Sequence, residues 1–164
     1  MSTSLESSSC TPAAAEQGDA EAQFGLGFYL AAGTGTQNYA RALEWYQKAA
    51  DQNHRLAQFN LGQMFAHGHG MPKSDSMALM WIRRAADGGD AGAQYDMGER
   101  TARSSAQGTA QELAEARIET YKWFTLASAQ EYRDAQFRSD TATMRMSRDE
   151  VSEGNRRVKI FGGG

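Results

Sequence analysis

Residues 57–86 read AQFNLGQMFAHGHGMPKSDSMALMWIRRAA, and both ends of this stretch recur elsewhere in the chain. The opening motif, AQFNLG, returns as AQFGLG at residues 22–27 and as AQYDMG at residues 93–98, at offsets of 35 and 36. The closing motif, WIRRAA, returns as WYQKAA at residues 45–50 and as WFTLAS at residues 123–128. A fixed period of this length predicts a repeat protein in which one supersecondary unit is stacked several times.

Each repeat is predicted to contain two helices joined by a glycine turn, GTG at residues 33–35 and GHG at residues 68–70. In the first helix, Ala22, Leu26 and Tyr29 recur at the spacing of one helix face, and residues 42–49 form a similar stripe in the second. No stretch alternates over strand length. The prediction is an all-α fold, an α/α superhelical solenoid of antiparallel helix pairs. The candidate N-caps of its helices are Asp19, Asn53, Asp90, Asn38, and Ser74 or Asp75.

Glycine occupies one register in the middle of all three first helices, at Gly27, Gly62 and Gly98. Each such glycine costs about 1 kcal/mol relative to alanine. Because this loss of helix stability recurs at the same register in three helices, we infer that packing requires a glycine there. We expect the second helix, with its tryptophan, to cross there and to leave no room for a Cβ atom.

The combined pattern, AQ-x-x-LG, a Gly-x-Gly turn and A-x-x-W-x-x-x-AA, resembles the Sel-one-like repeats of the tetratricopeptide-like superfamily. The resemblance covers roughly residues 14–137. It implies an adaptor or scaffold role in larger assemblies, and some relatives act in bacterial envelope or stress pathways. The third copy departs from the pattern, with Thr120 and Ser128 in place of alanines and Trp123 placed 42 residues after Trp81. We therefore expect a longer loop and looser geometry there.

The ends of the chain predict three segments: a flexible leader at 1–12, the repeat array at 13–145 with about three full units plus partial ends, and a C-terminal capping helix and tail at 146–164. Residues 14–23 align with residues 49–58, so the array begins within an incomplete unit. Residues 134–137, DAQF, open another first helix. The sequence SRDE at residues 147–150 is a capping-box pattern for a final helix near 148–161.

Composition excludes several classes of protein. The net charge of −3 argues against a general nucleic-acid binder. No apolar run has the length of a signal peptide or of a membrane span, which predicts no membrane insertion. Cys10 is the only cysteine, so no intramolecular disulfide is possible. The compartment stays open: cytoplasmic as the sequence stands, periplasmic if a leader was removed.

Few residues are candidates for chemistry. His67 and His69 stand two apart on a glycine turn, but two imidazoles without nearby acidic or thiolate ligands make a weak metal site. Cys10 lies in a serine-rich leader, the wrong place for a preorganised nucleophile. His54 stands at a predicted helix start, where a structural role is expected. The sequence therefore predicts no catalytic residue, no metal site and no cofactor.

A binding surface is the remaining candidate. In tetratricopeptide-type arrays the first helices line the concave face, and the positions that resemble ligand-facing ones are Phe24, Phe28, Phe59, Gln63, Tyr95 and Glu99. The alternative is that Phe24, Phe59 and Tyr95 pack between adjacent repeats. Nothing in the repeat pattern demands an aromatic at Phe28, which makes it the best anchor. The change from Phe28 to Glu99 suits a peptide with apolar and basic ends.

The leading functional hypothesis is a protein–protein interaction module or scaffold that binds a peptide or protein segment in this groove. Two alternatives stay open. Some cysteine-rich members of the family are proposed to bind or hydrolyse β-lactams, but this chain lacks their repeated cysteine pairs. The other is a structural spacer, either a monomer or weakly self-associating through the open N-terminal end.

Overall fold

The computed structural model describes residues 11–33, 36–104 and 108–162, and over these ranges every regular element is a helix. The leader predicted at 1–12 lies almost wholly outside them, as do Cys10 and residues 34–35 of the first glycine turn. The helices are α1 (Pro12–Glu16), α2 (Ala20–Ala32), α3 (Thr36–Asp51), α4 (Arg55–His67), α5 (Asp75–Asp87), α6 (Ala91–Ser104), α7 (Ala110–Ser128), α8 (Ala135–Thr143) and α9 (Arg148–Gly162). No helix of the described ranges is long and apolar enough to cross a membrane.

The chain divides into two compact units, Met1–Gly88 and Gly89–Gly164. In the first unit α2 packs on α3 and α4 packs on α5, while α3 also contacts α4 and α1 contacts α2. In the second unit α6 packs on α7, and α7 also contacts α8 and α9. The predicted first helices of the three repeats are therefore α2, α4 and α6. The predicted second helices are α3, α5 and α7, and each packs on the first helix that precedes it.

The core is built largely from alanine, which lets helix backbones approach closely. Ala42, Ala49, Ala57 and Ala78 have no solvent exposure, and Leu61 fills the space among the helices of the first unit. These residues come from the repeated motifs. The motifs are therefore first of all packing signals.

The mid-helix glycines are packing glycines, but tryptophan is not the residue that covers them. A Cβ added at Gly27 would lie 2.8 Å from Tyr46 Cδ1, and one added at Gly98 would lie 2.8 Å from Phe124 Cδ1. At Gly62 the nearest atom is Ile82 Cγ1, at 2.6 Å. In each repeat the side chain immediately after the tryptophan occupies the space, because successive residues of a helix point about 100° apart. The expectation that tryptophan covers these glycines was therefore wrong, because the covering residue is the next one in the sequence.

A fourth packing glycine lies in the final helix. A Cβ added at Gly154 of α9 would lie 2.5 Å from Tyr121 Cδ1 of α7. The helix itself begins as predicted, because Glu150 N donates to Ser147 Oγ and Ser147 N donates to the Glu150 carboxylate, which completes the capping box. Arg157 then joins α9 to Glu115 and Glu119 of α7.

The predicted caps are confirmed at Asp19, Asp90 and Ser74, whose side chains accept from the backbone N–H three residues later. Two predictions were wrong. Asn53 adopts a left-handed conformation with φ 64°, so the cap of α4 is His54, whose Nδ1 accepts from Ala57 N. Asn38 lies inside α3, which begins at Thr36.

One residue of the predicted helix face is exposed, and one further expectation was wrong. Tyr29 is 77% exposed, although Met64, its counterpart in α4, is only 5% exposed. Met64 belongs to the core cluster of the first unit, together with Ala42 and Tyr46 of α3. In the third repeat the extra residues lengthen a helix rather than a loop: α7 has 19 residues against 13 in α5.

Candidate partner-binding surface

Helix α2 presents the first two predicted contact residues, and they have different environments. The ring of Phe24 is half-buried, stacked on His54 at 4.7 Å between centroids and tilted against Tyr46 at 5.9 Å. Phe28, one turn later, is 60% exposed, and its ring lies 6.2 Å from that of Phe24. Phe24 therefore belongs partly to the core between successive repeats. Phe28 projects from this packed base.

The base beneath Phe28 is rigid for identifiable reasons. His54 is held at both nitrogens, because Nδ1 caps α4 and Nε2 lies 3.0 Å from Glu21 Oε2. Tyr46 is buried against Gly27, and burial raises the pKa of its phenol to about 12 although a hydrogen bond with Asn60 opposes this shift. A neutral, buried ring thus packs against Phe24, and Phe24 in turn packs against Phe28.

Helix α4 carries the next two predicted residues, Phe59 and Gln63, which are both half-buried. The carbonyl oxygen of Gln63 lies 2.8 Å from Nδ1 of His67. The His67 ring stacks on His69, and the His69 ring stacks on Tyr39 of α3. The two histidines thus join an aromatic stack at the end of α4. No group of three or more metal-ligating side chains occurs within residues 11–33, 36–104 and 108–162.

In the second unit Tyr95 and Glu99 are engaged with neighbouring side chains. The Tyr95 ring meets Phe124 edge to face, and its hydroxyl donates to Asp134 Oδ1 at 2.7 Å. This hydrogen bond raises the pKa of Tyr95 and lowers that of Asp134. Glu99 pairs with Arg138 at 3.3 Å and lies 3.8 Å from Arg103. Because Glu99 already interacts with two arginines of the chain itself, its charge does not favour a basic end of a peptide.

The sequence interpretation assigned no role to the glutamine of the repeated Ala-Gln motif. Gln23 and Gln58 are almost fully buried, and each donates to the backbone carbonyl of an alanine in the preceding helix. The side-chain oxygen of Gln23 accepts from Gln52, which also donates to the carbonyl of Gly18. These bonds satisfy buried amide groups and tie one repeat to the next. The sequence feature that could have revealed this role is the presence of glutamine at the same register in all three copies of the motif.

A cavity of the second unit was also missed. It has a volume of about 280 Å³ and lies among α6, α7, α8 and the segment after α8. Arg117, Arg138 and Arg145 line it together with Phe124. No motif marks these arginines, because they lie on different elements and α8 departs from the repeat pattern.

Comparison with known proteins gives the family. Residues 20–54 and 55–90 each match the Sel1 repeat, and these ranges correspond to the pairs α2–α3 and α4–α5. A Sel1 repeat protein from Oxalobacter formigenes, known from a crystal structure, is 30% identical, with a TM-score of 0.62; the match covers 79% of this chain and 93% of that one. The chain belongs to the Sel1 repeat family. The predicted α/α solenoid class is thereby confirmed.

Two other comparisons extend this result to larger proteins. A protective antigen of uropathogenic Escherichia coli that displays an SLR fold is 27% identical, with a TM-score of 0.75, over 90% of this chain and 31% of its own. The HRD3A and HRD3B components of an ERAD-associated E3 ubiquitin-protein ligase of Arabidopsis thaliana are each 42% identical over 60 residues. This Sel1 repeat chain matches about a tenth of the length of those two relatives, 9% and 10%. Sel1 repeat proteins generally mediate protein–protein interaction, and the family is mostly non-enzymatic.

Proposed function

We propose that this Sel1 repeat protein is a non-enzymatic binding module that holds a segment of a partner protein, with Phe28 as the apolar anchor of its first unit. The exposure of Phe28 carries the proposal: 60% of a phenylalanine side chain lies in solvent, directly above a ring packed on His54 and Tyr46. Aromatic side chains that enter a partner's pocket typically dominate the energy of an interface. A rigid base reduces the entropy that is lost when such a side chain is fixed by binding.

The other residues of the ladder have supporting roles in this proposal. Phe24 positions Phe28, and Phe59 and Gln63 on α4 extend the contact area. Tyr29 adds apolar area on α2, since it is 77% exposed. In the second unit Tyr95 and Glu99 hold neighbouring side chains in place, and the residues around them contact the partner.

The test uses peptides selected from a random library against the full chain and measured by fluorescence anisotropy. Phe28→Ala should weaken binding by at least about fivefold, which corresponds to about 1 kcal/mol. Its melting temperature should stay close to that of the wild type, because most of the side chain is already in solvent. Leu79→Ala is the matched control, since Leu79 is a 44% exposed apolar residue on the second helix α5.

Three results would contradict the proposal. Peptides that bind Phe28→Ala with wild-type affinity would remove the anchor role. A large drop in melting temperature for Phe28→Ala would show that the ring belongs to the core. Equal losses for Phe28→Ala and Leu79→Ala would point to nonspecific apolar adsorption.

A further inference from the structure

The cavity of the second unit has the lining of an anion site. Three arginines and two threonines are its polar lining residues, and its apolar lining residues include Phe124. Among the residues that the structure describes, no aspartate or glutamate lines it. Because guanidinium groups are donors only, the cavity offers N–H groups and positive charge to whatever enters it.

Arg117 lines the cavity, and only part of its guanidinium group has a partner. Its Nη2 pairs with Glu150 of α9, which holds the side chain in place. Its Nε, however, is buried and has no hydrogen-bond partner. A buried donor without an acceptor is destabilising, and more so when the group is charged.

The other two arginines differ in how far their charge is compensated. Arg138 is fixed by Asp134, the residue before α8, at 3.1 Å and by Glu99 of α6 at 3.3 Å. The exposed side chain of Arg145 makes neither an ion pair nor a hydrogen bond with any part of the chain that the structure describes. Its charge is therefore available to a ligand at the mouth of the cavity.

The size of the cavity narrows the class of ligand. Small-molecule sites usually measure about 300–1,000 Å³, so about 280 Å³ is at the lower limit and suits a single side chain. A carboxylate matches the planar fork of a guanidinium and accepts two parallel hydrogen bonds from it. The methylene groups of such a side chain would contact Phe124 and Ala142.

The geometry points to this cavity as a pocket for an aspartate or glutamate side chain within an acidic segment of the partner protein. Arg145 binds the carboxylate, and Arg117 and Arg138 form the basic wall of the pocket. This inference rests on the proposed binding function and names the chemistry of the partner. It assigns an acidic partner, where Glu99 had suggested a basic one.

The experiment compares two arginine variants that change the net charge equally. Arg145→Ala removes a pocket residue, whereas Arg148→Ala, at the start of α9, removes an exposed arginine that does not line the cavity. Random peptides are selected against the full wild-type chain. The tightest peptide is then resynthesised with each acidic residue replaced in turn by its amide.

We expect one acidic position to stand out. Its amide form should bind the wild type and Arg148→Ala about tenfold more weakly, the loss of a charged hydrogen bond. Against Arg145→Ala the acid and amide forms should bind about equally. Peptides without such a position, or equal effects of the two arginine variants, would overturn the inference. If binding still depended on Phe28 in that case, the proposed function would stand, whereas a selection that enriches no peptide would overturn both.

Discussion

Replacing Gly62 with alanine should destabilise the protein, although alanine is the better helix former. In the structure a Cβ at this position would lie 2.6 Å from Ile82 Cγ1, 3.1 Å from Ile82 N and 3.2 Å from the carbonyl oxygen of Ala78. Two of these three atoms belong to the backbone of α5. A rotamer change at Ile82 therefore cannot relieve the contact completely, and α5 has to move away from α4.

The expected size follows from two opposing effects. Alanine in place of glycine favours the helix by about 1 kcal/mol. Overpacking of a filled core costs about 1–3 kcal/mol, and a contact as short as the one with Ile82 belongs to the upper part of that range. Gly62→Ala should therefore lose about 1–2 kcal/mol, and Gly62→Leu, with three more carbon atoms, more than about 3 kcal/mol.

Thermal denaturation followed by circular dichroism measures this loss. For a chain of this size each kcal/mol lowers the melting temperature by about 2–4 °C. Gly162→Ala is the control, because a Cβ added at the end of α9 meets no atom within 4 Å. Combining Gly62→Ala with Ile82→Ala should cost less than the sum of the two single changes, because the second change removes the closest atom. A melting temperature for Gly62→Ala at or above that of the wild type would refute the reasoning.

Three further outcomes are expected. Zn²⁺ or a chelator should leave the melting temperature unchanged, whereas a specific metal site would stabilise the fold by mass action. A shift of several degrees in the wild type that is absent from His67→Ala would contradict this prediction. Arg157→Gln should speed hydrogen exchange throughout α9, because Arg157 bridges to α7, whereas Arg156→Gln, which loses a bond to Glu153 within α9, should not. Stability should fall as the pH drops below the ordinary glutamate pKa of 4.5. Hydrogen bonds from Arg156 and Arg157 lower the pKa of Glu153 to about 2. Burial opposes ionisation of Glu119, but its bonds to Lys122 and Arg157 outweigh burial and lower the pKa of Glu119 too. The stabilisation from both ionised carboxylates is therefore lost as they become protonated, and a flat melting temperature from pH 7 to pH 3 would refute this.

Local and repeated features of the sequence were enough to predict most of the fold. The 35- and 36-residue offsets defined the helix pairs, and the glycine register at Gly27, Gly62 and Gly98 revealed that helices cross there. The Ser147–Glu150 capping box located the start of the final helix. These predictions succeed because helix spacing, caps and turns depend on residues within a few positions of each other.

The candidate surface was predicted less completely. The register singled out Phe28 as an aromatic that the repeat does not require, and the structure shows this residue 60% exposed. It did not reveal that Phe24 is packed against His54, or that Glu99 is paired with Arg138. Both contacts join residues more than a helix apart in sequence, and a repeat pattern carries no information about such partners.

By itself, then, the sequence determined the helical repeat, its period and the positions where helix backbones approach closely, because these depend on local spacing and on the absence of a Cβ atom. Only the tertiary structure decided which side chain fills each glycine notch, why Tyr29 is exposed while Met64 is buried, and where the arginine-lined cavity lies. Each of these depends on how helices from separate parts of the chain cross. The crossing places Arg117 and Arg145 at one cavity although nothing in their local sequence relates them.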